Sequence, residues 1–256
     1  MEMRDRTILV TGGARGIGLE IARLLHARGA RLLLVGRDAE ALAAAAGALD
    51  ATVLLCDLAD AAAVDRLIDL VRTEHPDLGG LVNNAAVQHE LDLVHGDPFA
   101  TIAKARAEIA TNLAAPMALS IGLLPLLSAQ PSAFVCDVNS GLALAPKEAS
   151  PAYSASKAGL RALTAALRHQ CVRHAPYVRV VDVILPMVDT DMTRGRGRGK
   201  MAAADAARAI VAGIERERST VWIGKARLLP MLMRVAPGLV ARLLRGSGHP
   251  APGGRT

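Results

Sequence analysis

Aromatic side chains and cysteines are scarce in this sequence of 256 residues. Phe, Trp and Tyr make up 2% of the chain, so the walls of any substrate pocket are expected to be mostly aliphatic. The three cysteines, Cys56, Cys136 and Cys171, are odd in number and far apart, and they lack a Cys-x-x-Cys spacing. Buried reduced thiols are therefore expected, rather than a disulfide framework or a metal site.

Long apolar runs are missing as well. The N-terminus, Met-Glu-Met-Arg-Asp-Arg, is charged and has no apolar core of the kind that a signal peptide needs. No stretch approaches the roughly 18 uninterrupted apolar residues that are typical of a membrane span. A soluble, cytoplasmic protein is expected.

Acidic residues are scarce only in the C-terminal quarter. Residues 194–256 hold 13 Lys and Arg against 3 Asp and Glu, whereas the whole chain has a net charge of +6. The basic character thus belongs to one end of the chain, and residues 1–193 are slightly acidic. This distribution argues against a nucleic-acid-binding protein.

Short apolar strands alternate with helical patterns at intervals of about 25 residues, and this alternation is typical of right-handed βαβ units. It predicts an α/β fold of the Rossmann type, a three-layer sandwich with a doubly wound parallel sheet. No boundary of a second domain is visible, so residues 1–245 are expected to form a single dinucleotide-binding and catalytic domain. The predicted strands are residues 7–11, 31–35, 52–56, 80–82, 133–138, 177–185 and 220–223; the predicted helices include 39–49, 61–74 and 202–216.

A glycine-rich turn, Gly12-Gly13-Ala14-Arg15-Gly16-Ile17-Gly18, lies between the first strand and a segment with helical apolar spacing. Glycines permit positive φ and close approach of the backbone to a ligand. The N-terminus of the following helix offers N–H groups and a positive dipole to a pyrophosphate. Strand, turn and helix in this order predict a dinucleotide site, with an ordinary glycine turn as the alternative.

The second strand ends at Gly36, with Arg37 and Asp38 following. An acidic residue at this place binds a ribose 2′-hydroxyl, whereas an arginine accommodates a 2′-phosphate. Arg37, with Arg15 as a second cation, therefore favours NADP(H) over NAD(H). Asp38 speaks for NAD(H), but it also suits the N-cap of the next helix.

Tyr153 and Lys157 are four residues apart, so in a helix their side chains project from the same face. A phenol with a pKa near ~10 is a poor acid or base at neutral pH. A neighbouring ammonium favours the phenolate, so Lys157 is expected to lower the pKa of Tyr153. Ser140 follows a predicted buried strand and is expected to face the same cleft. A surface tyrosine with an unrelated lysine is the alternative for the pair.

These motifs occur together in a characteristic order. Thr11-Gly12-x-x-x-Gly16-x-Gly18, Asn83-Asn84-Ala85, Ser140 and Tyr153-x-x-x-Lys157 resemble the classical short-chain dehydrogenase/reductase (SDR) family over residues 7–191. The resemblance implies a carbonyl reductase or alcohol dehydrogenase that uses a nicotinamide cofactor, NADP(H) in preference because of Arg37, and that forms a homodimer or homotetramer. It also implies the cofactor-binding residues Gly12, Arg15, Gly16, Ile17, Gly18, Asp57, Leu58, Asn83, Ala85, Tyr153, Lys157, Val188 and Thr190.

The resemblance further implies an active-site tetrad of Asn112, Ser140, Tyr153 and Lys157. Tyr153 would donate a proton to a carbonyl oxygen, Ser140 would polarise that oxygen, and Asn112 would maintain a proton relay through water. For Asn112 the alternative is a partly buried helix asparagine satisfied by the backbone. Two positions depart from the family pattern, since Ala86 and Met187 stand where glycines are usual, and both are expected to narrow the pocket.

The basic C-terminal part leaves several interpretations open. Residues 187–201 are expected to form a lid over the substrate, and the alternating Arg/Lys and Gly run at 194–200 suits either a solvated mobile loop or recognition of an anionic substrate, phosphate or membrane surface. Residues 225–245 are expected to form a C-terminal extension, of which 227–245 suit a broken amphipathic helix at a membrane surface, or packing against the core or another subunit. The tail 246–256 is expected to be disordered.

Two other function classes therefore remain beside the reductase. One is a regulatory protein that binds the cofactor and keeps the fold, against which the complete tetrad speaks. The other is a membrane-surface protein, for which only the basic C-terminal part speaks. The seven histidines lie on predicted helices, in a loop or in the tail without paired ligand spacing, so no metal site is expected.

Overall fold

The structure is a computed structural model that describes residues 1–197 and 199–245. Arg198 of the basic run and the tail 246–256, for which the sequence predicts disorder, lie outside the described residues.

A seven-stranded parallel sheet forms the centre of the molecule. Its strand order is β3-β2-β1-β4-β5-β6-β9, which is the Rossmann order extended by one strand. The predicted doubly wound sheet is therefore confirmed. The strands are β1 (Thr7–Thr11), β2 (Arg31–Gly36), β3 (Thr52–Leu55), β4 (Leu78–Asn83), β5 (Ala133–Ser140), β6 (Val178–Leu185), β7 (Val188–Asp189), β8 (Met201–Ala202) and β9 (Thr220–Trp222), of which β7 and β8 pair in a separate two-stranded sheet.

Helices cover both faces of the sheet, so the central strands are apolar on both sides. Every residue of β1 and β4 is buried, as are the first seven residues of β5. One core cluster packs α1 and α7 against the sheet, and another packs α3 and α5 against its opposite face. The helices are α1 (Gly16–His26), α2 (Ala39–Leu49), α3 (Ala61–Glu74), α4 (Pro98–Ile109), α5 (Ala115–Ala129), α6 (Pro151–His174), α7 (Ala203–Glu215), α8 (Leu229–Val235) and α9 (Pro237–Arg245).

Helix starts are fixed by acidic N-caps. The carboxylates of Asp38, Asp60 and Asp97 accept backbone N–H groups at the starts of α2, α3 and α4. Such caps satisfy donors that have no partner within the helix, and each typically contributes about 1 kcal/mol. Asp38 thus has the capping role that the sequence suggests for it.

A π-turn at Ala110–Ala114 joins α4 to α5. The continuous helix Pro98–Ala129 is long and apolar enough, by length and composition, to cross a membrane, although a core helix of a soluble protein meets the same criterion. Leu119, Leu123 and Leu127 are fully buried in the core cluster that α5 shares with α3. This packing accounts for the apolar residues on one side of the helix, whereas Met117 and Ile121 are 40% and 64% exposed.

The C-terminal segment folds back towards the loop after β5. A 3-10 turn (Gly224–Leu228) leads into α8, and α9 begins at Pro237, where the sequence predicts an interruption. The backbone carbonyl of Arg245 accepts the N–H of Glu148, whereas Met231 and Val235 are 61% and 78% exposed. This segment combines contacts to the core with an exposed apolar surface.

Candidate active site

The glycine turn between β1 and α1 is closely packed. Gly12 and Gly16 have φ values of +66° and +55°, a region that side chains disfavour. A Cβ atom at Gly18 would lie 2.1 Å from the carbonyl oxygen of Gly12, so only glycine fits there. Asn84 supports the turn, because its Nδ2 donates to the carbonyl oxygen of Thr11 at 3.0 Å. The turn therefore exposes backbone at the N-terminus of α1, as a pyrophosphate site requires.

A cavity of about 750 Å³ extends along the carboxyl ends of the strands from the glycine turn to α6. Ligands of open α/β sheets bind at this edge, and the volume lies in the range usual for cofactor and ligand sites. Of the residues predicted from the sequence, the cavity is lined by Gly12, Arg15, Gly16, Ile17, Arg37, Asp57, Leu58, Ala85, Ser140, Tyr153, Lys157, Val188 and Thr190.

Three predicted residues do not line this cavity. Gly18 is buried under the glycine turn, and Asn83 lies at the end of β4 with its amide donating to Asp137 at 2.8 Å. Asn112 lies in the π-turn, where its Oδ1 accepts the N–H of Val87 and its Nδ2 donates to the carbonyl oxygen of Val87, both at 2.8 Å. These contacts match the backbone-satisfied alternative, and the relay function of Asn112 stays a prediction.

Asn112 is nevertheless connected to the segment that carries Tyr153. Its Nδ2 also donates to Ser156 Oγ at 3.2 Å, and that hydroxyl donates to the backbone carbonyl of Tyr153 at 2.8 Å. A π-turn within an α-helix is frequent at functional sites. Here it places a buried amide between the loop after β4 and the first turn of α6.

Ser140, Tyr153 and Lys157 come together from β5 and α6. Ser140 is the last residue of β5 rather than the first residue after it, and its Oγ accepts the N–H of Leu142 at 3.2 Å. Lys157 is 2% exposed, and its Nζ donates to the carbonyl oxygen of Val138 at 2.7 Å. The ammonium lies 5.9 Å from the centre of the Tyr153 ring.

The expected lowering of the tyrosine pKa is wrong for this geometry. Burial raises the pKa of Tyr153 to about 12, and the negative charge of Glu108 adds to the rise. A hydrogen bond with Ser140 and the charge of Arg196 act in the opposite direction but do not compensate. With its pKa at about 12, the tyrosine is a protonated phenol at neutral pH, and the Lys157 ammonium is directed to the backbone carbonyl of Val138 instead.

The charge of Lys157 is itself set by a buried polar cluster under the cavity. Burial lowers the pKa of Lys157 to about 8, whereas the carboxylates of Asp137 and Asp182 act to raise it. Asp137 is 1% exposed and accepts hydrogen bonds from Asn83 and from Thr164 Oγ1, the latter at 2.7 Å. Without these two acids, the lysine would lose its proton more readily.

Sequence reasoning missed a contact between a histidine and a buried glutamate beside the cavity. Glu108 is fully buried, and its Oε1 lies 3.1 Å from His89 Nδ1 and also accepts the His89 backbone N–H. Its other oxygen, Oε2, has no hydrogen-bond partner among the described residues, and burial raises the pKa of this carboxyl. The loop position of His89 gave no sign of this pair, because Glu108 is 19 residues away on a helix.

Lys147 was also missed. It lines the cavity and is only 4% exposed, although most lysines are on the surface. The signal that the sequence offered for Lys147 was its position in the loop that follows Ser140.

Ala86 and Met187, the two departures from the family pattern, line the cavity as well, and so do Arg196, Lys225 and Leu229.

The fold and this site define an α/β protein with a dinucleotide site at the carboxyl edge of its sheet. The sequence model of the short chain dehydrogenase family matches residues 6–200. The chain is 37% identical over 195 residues to the uncharacterized oxidoreductase DltE of Bacillus subtilis (strain 168), which covers 76% of each protein. It is 31% identical over 192 residues to the 3-oxoacyl-[acyl-carrier-protein] reductase of Bos taurus, covering 74% of this chain and 78% of the relative.

A solved structure agrees with these relatives. The short chain dehydrogenase from Burkholderia cenocepacia J2315 in complex with NADP superimposes with a TM-score of 0.83 at 26% identity, over 95% of this chain and 99% of the other. The chain therefore belongs to the short-chain dehydrogenase/reductase family and is an NAD(P)-binding oxidoreductase.

Proposed function

We propose that this protein is an NADPH-preferring carbonyl reductase, or alcohol dehydrogenase in the reverse direction, with Tyr153 as the general acid. The protonated phenol of Tyr153, next to Ser140 in the wall of a cavity that begins at a dinucleotide turn, is the observation that carries this proposal. A reduced nicotinamide, when bound, supplies a hydride.

The residues present fit such a cofactor. The turn around Gly12 and Gly18 leaves no room for side chains and offers backbone N–H groups to the pyrophosphate. Arg15 and Arg37 are exposed side chains at the end of the cavity near β1 and β2, where a 2′-phosphate would require cations. The carboxylate of Asp38, which would favour a 2′-hydroxyl instead, accepts the N–H of Ala41 at 3.1 Å. Lys157 would hold the ribose next to the nicotinamide.

Each of three side chains around the substrate would have its own function in the acid–base chemistry. Tyr153 Oη donates its proton to the carbonyl oxygen as negative charge develops there. The Ser140 hydroxyl, oriented by the Leu142 N–H, donates its one hydrogen bond to the same oxygen. Lys157, kept charged by Asp137 and Asp182, stabilises that phenolate electrostatically.

Arg37→Gln should reduce the preference for NADPH over NADH. Charge-assisted hydrogen bonds contribute about 1.5–3 kcal/mol, so kcat/KM with NADPH is expected to fall about 10–100-fold while the value with NADH changes little. Arg72→Gln, an exposed arginine near the end of α3, is the matched control. Equal preference of the wild-type enzyme for the two cofactors would refute the function given to Arg37.

The two reaction directions should differ in pH dependence. Because the pKa of Tyr153 is raised to about 12, the phenol is protonated and its supply of protons for reduction is constant from pH 6 to about 7.5, where Lys157, with a pKa of about 8, also keeps most of its charge. Alcohol oxidation needs the phenolate, so its kcat/KM is expected to rise about tenfold per pH unit over this range. Steady-state profiles in both directions test this, and a flat oxidation profile contradicts the assignment of Tyr153.

A further inference from the structure

The part of the cavity beyond Tyr153 is bordered by cations. Lys147, Arg196 and Lys225 all line it, and they follow the neighbouring strands β5, β6 and β9. The glycine turn and Arg37 follow β1 and β2, which lie in the other half of the sheet. Strands are about 4.8 Å apart, so three steps separate the loop after β2 from the loop after β5 by roughly 14 Å. These three cations therefore belong to a different end of the cavity from the cations that suit a 2′-phosphate.

Lys147 is built into the wall rather than left on the surface. Its side chain is 4% exposed, and the carboxylate oxygen nearest to its Nζ, Glu90 Oε1, is 3.9 Å away on a side chain that is 54% exposed. Its backbone is fixed to the start of α6, because its N–H donates to Ser154 Oγ at 3.3 Å and its carbonyl accepts the N–H of Ser150 at 3.2 Å. The loop thus holds an ammonium near the first turn of α6, where Tyr153 lies.

A buried ammonium with so distant a partner is energetically unfavourable, because burial of an unpaired charge costs much more than surface exposure. Burial lowers the pKa of Lys147, the carboxylate of Glu90 acts to raise it, and the positive charge of Arg196 lowers it further. Two like charges therefore face the same space. An anionic group placed between them would relieve both the desolvation and the repulsion.

The nearby acids neutralise this positive charge only in part, because the nearest partner of the Lys147 ammonium, Glu90, is 3.9 Å away on a side chain that is 54% exposed and therefore screened by water. The carboxylate of Asp191 pairs with Arg194, and Glu108 pairs with His89. Among the residues that the structure describes, the Arg196 side chain donates one Nη2 hydrogen bond, to the carbonyl of Met192, which holds the guanidinium in the segment after β6 and leaves its other donors for a ligand. Met187 packs on this segment too, since a Cβ at Gly197, which has φ of +67°, would meet its sulfur at 2.3 Å.

We propose that Lys147 and Arg196 form a subsite for an anionic oxygen group of the substrate, a carboxylate or a phosphate, so that the carbonyl reduced at Tyr153 belongs to an anionic compound. This inference depends on the proposed function for the identity of the reacting carbonyl, but the anion subsite itself can be detected without turnover. Several interpretations of the basic run 194–200 are open, and the proposed subsite favours recognition of an anionic substrate among them.

The binding experiment uses malonate as the carboxylate probe and inorganic phosphate as the phosphate probe, each titrated into the full-length protein at saturating NADP⁺. Saturation occupies the cations near the glycine turn, so a further rise in Tm reports a second anion site. The probe that matches the substrate is expected to raise the Tm of the wild type, and Lys147→Met and Arg196→Gln should abolish the rise. Lys147→Arg should retain it in part. Lys104→Met, an exposed lysine on α4, is the control and should behave as the wild type.

The kinetic experiment compares charged and neutral carbonyl compounds in pairs: acetoacetate with methyl acetoacetate, and dihydroxyacetone phosphate with dihydroxyacetone. The wild type is expected to prefer the charged member of one pair by about tenfold or more in kcat/KM, and Lys147→Met should remove most of that preference with NADPH binding unchanged. No anion-dependent Tm rise in the wild type, or a rise that survives in both variants, overturns the subsite. If no carbonyl is reduced but the rise depends on Lys147, the reductase proposal fails and the subsite stands.

Discussion

Tyr153→Phe should abolish almost all carbonyl reduction while the protein still folds and binds NADPH. The change removes one hydroxyl and keeps the ring that lies 5.9 Å from the Lys157 ammonium. General acid catalysis contributes typically ~10²–10⁴-fold, so kcat is expected to fall by that factor. Single-turnover reduction at saturating NADPH measures the chemical step directly, and NADPH fluorescence on titration measures binding.

The chain offers a matched control for this change. Its other tyrosine, Tyr177, is 41% exposed just before β6 and uses its backbone carbonyl to accept the N–H of Ala133. Tyr177→Phe should therefore leave the reaction unchanged. A Tyr153→Phe enzyme within about threefold of the wild type would remove the phenol from the mechanism, and Ser140 would then be the next proton donor to test.

The high pKa of Tyr153 and the low pKa of Lys157 have the same cause, which is burial, and they have opposite consequences. Burial keeps the phenol protonated, the form that a proton donor needs. It would also discharge the lysine if Asp137 and Asp182 did not act on it from beneath. The two carboxylates, Asp137 on β5 and Asp182 on β6, and the protonated phenol of Tyr153 thus favour reduction at neutral pH, with the lysine still largely charged.

Sequence patterns predicted the fold well because they depend on local rules. The predicted ranges Thr7–Thr11, Ala39–Leu49 and Ala61–Glu74 coincide with β1, α2 and α3. Apolar runs between glycines and acidic caps leave little freedom for the ends of such elements. Most of the motif residues line one cavity, since the carboxyl ends of parallel strands share one edge of the sheet, but Gly18, Asn83 and Asn112 do not.

Properties that depend on tertiary contacts were not predictable in this way. Three properties arise from contacts between groups that are distant in sequence. They are the burial of Lys147, the pairing of Glu108 with His89 and the direction of the Lys157 ammonium. The helical periodicity around Asn112 gave no signal for the π-turn, which a single extra residue in the helix creates. The pKa of Tyr153 was mispredicted for the same reason, because desolvation is a property of the whole surrounding structure.

Gly18→Ala should disrupt both the stability of the protein and its cofactor binding. The added Cβ would lie 2.1 Å from the carbonyl oxygen of Gly12 and 2.8 Å from its carbonyl carbon, and backbone atoms cannot move aside as a side chain can. The free energy of unfolding is expected to fall by about 3 kcal/mol or more. NADPH binding should weaken at least about 100-fold, because separating Gly12 from α1 displaces the N–H groups that face the pyrophosphate.

Two other glycines serve as controls for the loss of stability and of NADPH binding. A Cβ at Gly13 would meet the Leu34 side chain at 2.8 Å, which can shift, so Gly13→Ala should destabilise the protein less and weaken NADPH binding only slightly. Gly47 is exposed within α2 and has open space around it, so Gly47→Ala should stabilise the protein by about 0.5–1 kcal/mol with unchanged NADPH affinity. Chemical denaturation and NADPH titration of the three variants measure both quantities. If Gly18→Ala matched Gly13→Ala in both, close backbone packing would not be what the turn requires, and the dinucleotide site would depend on Arg15, Arg37 and Lys157 instead.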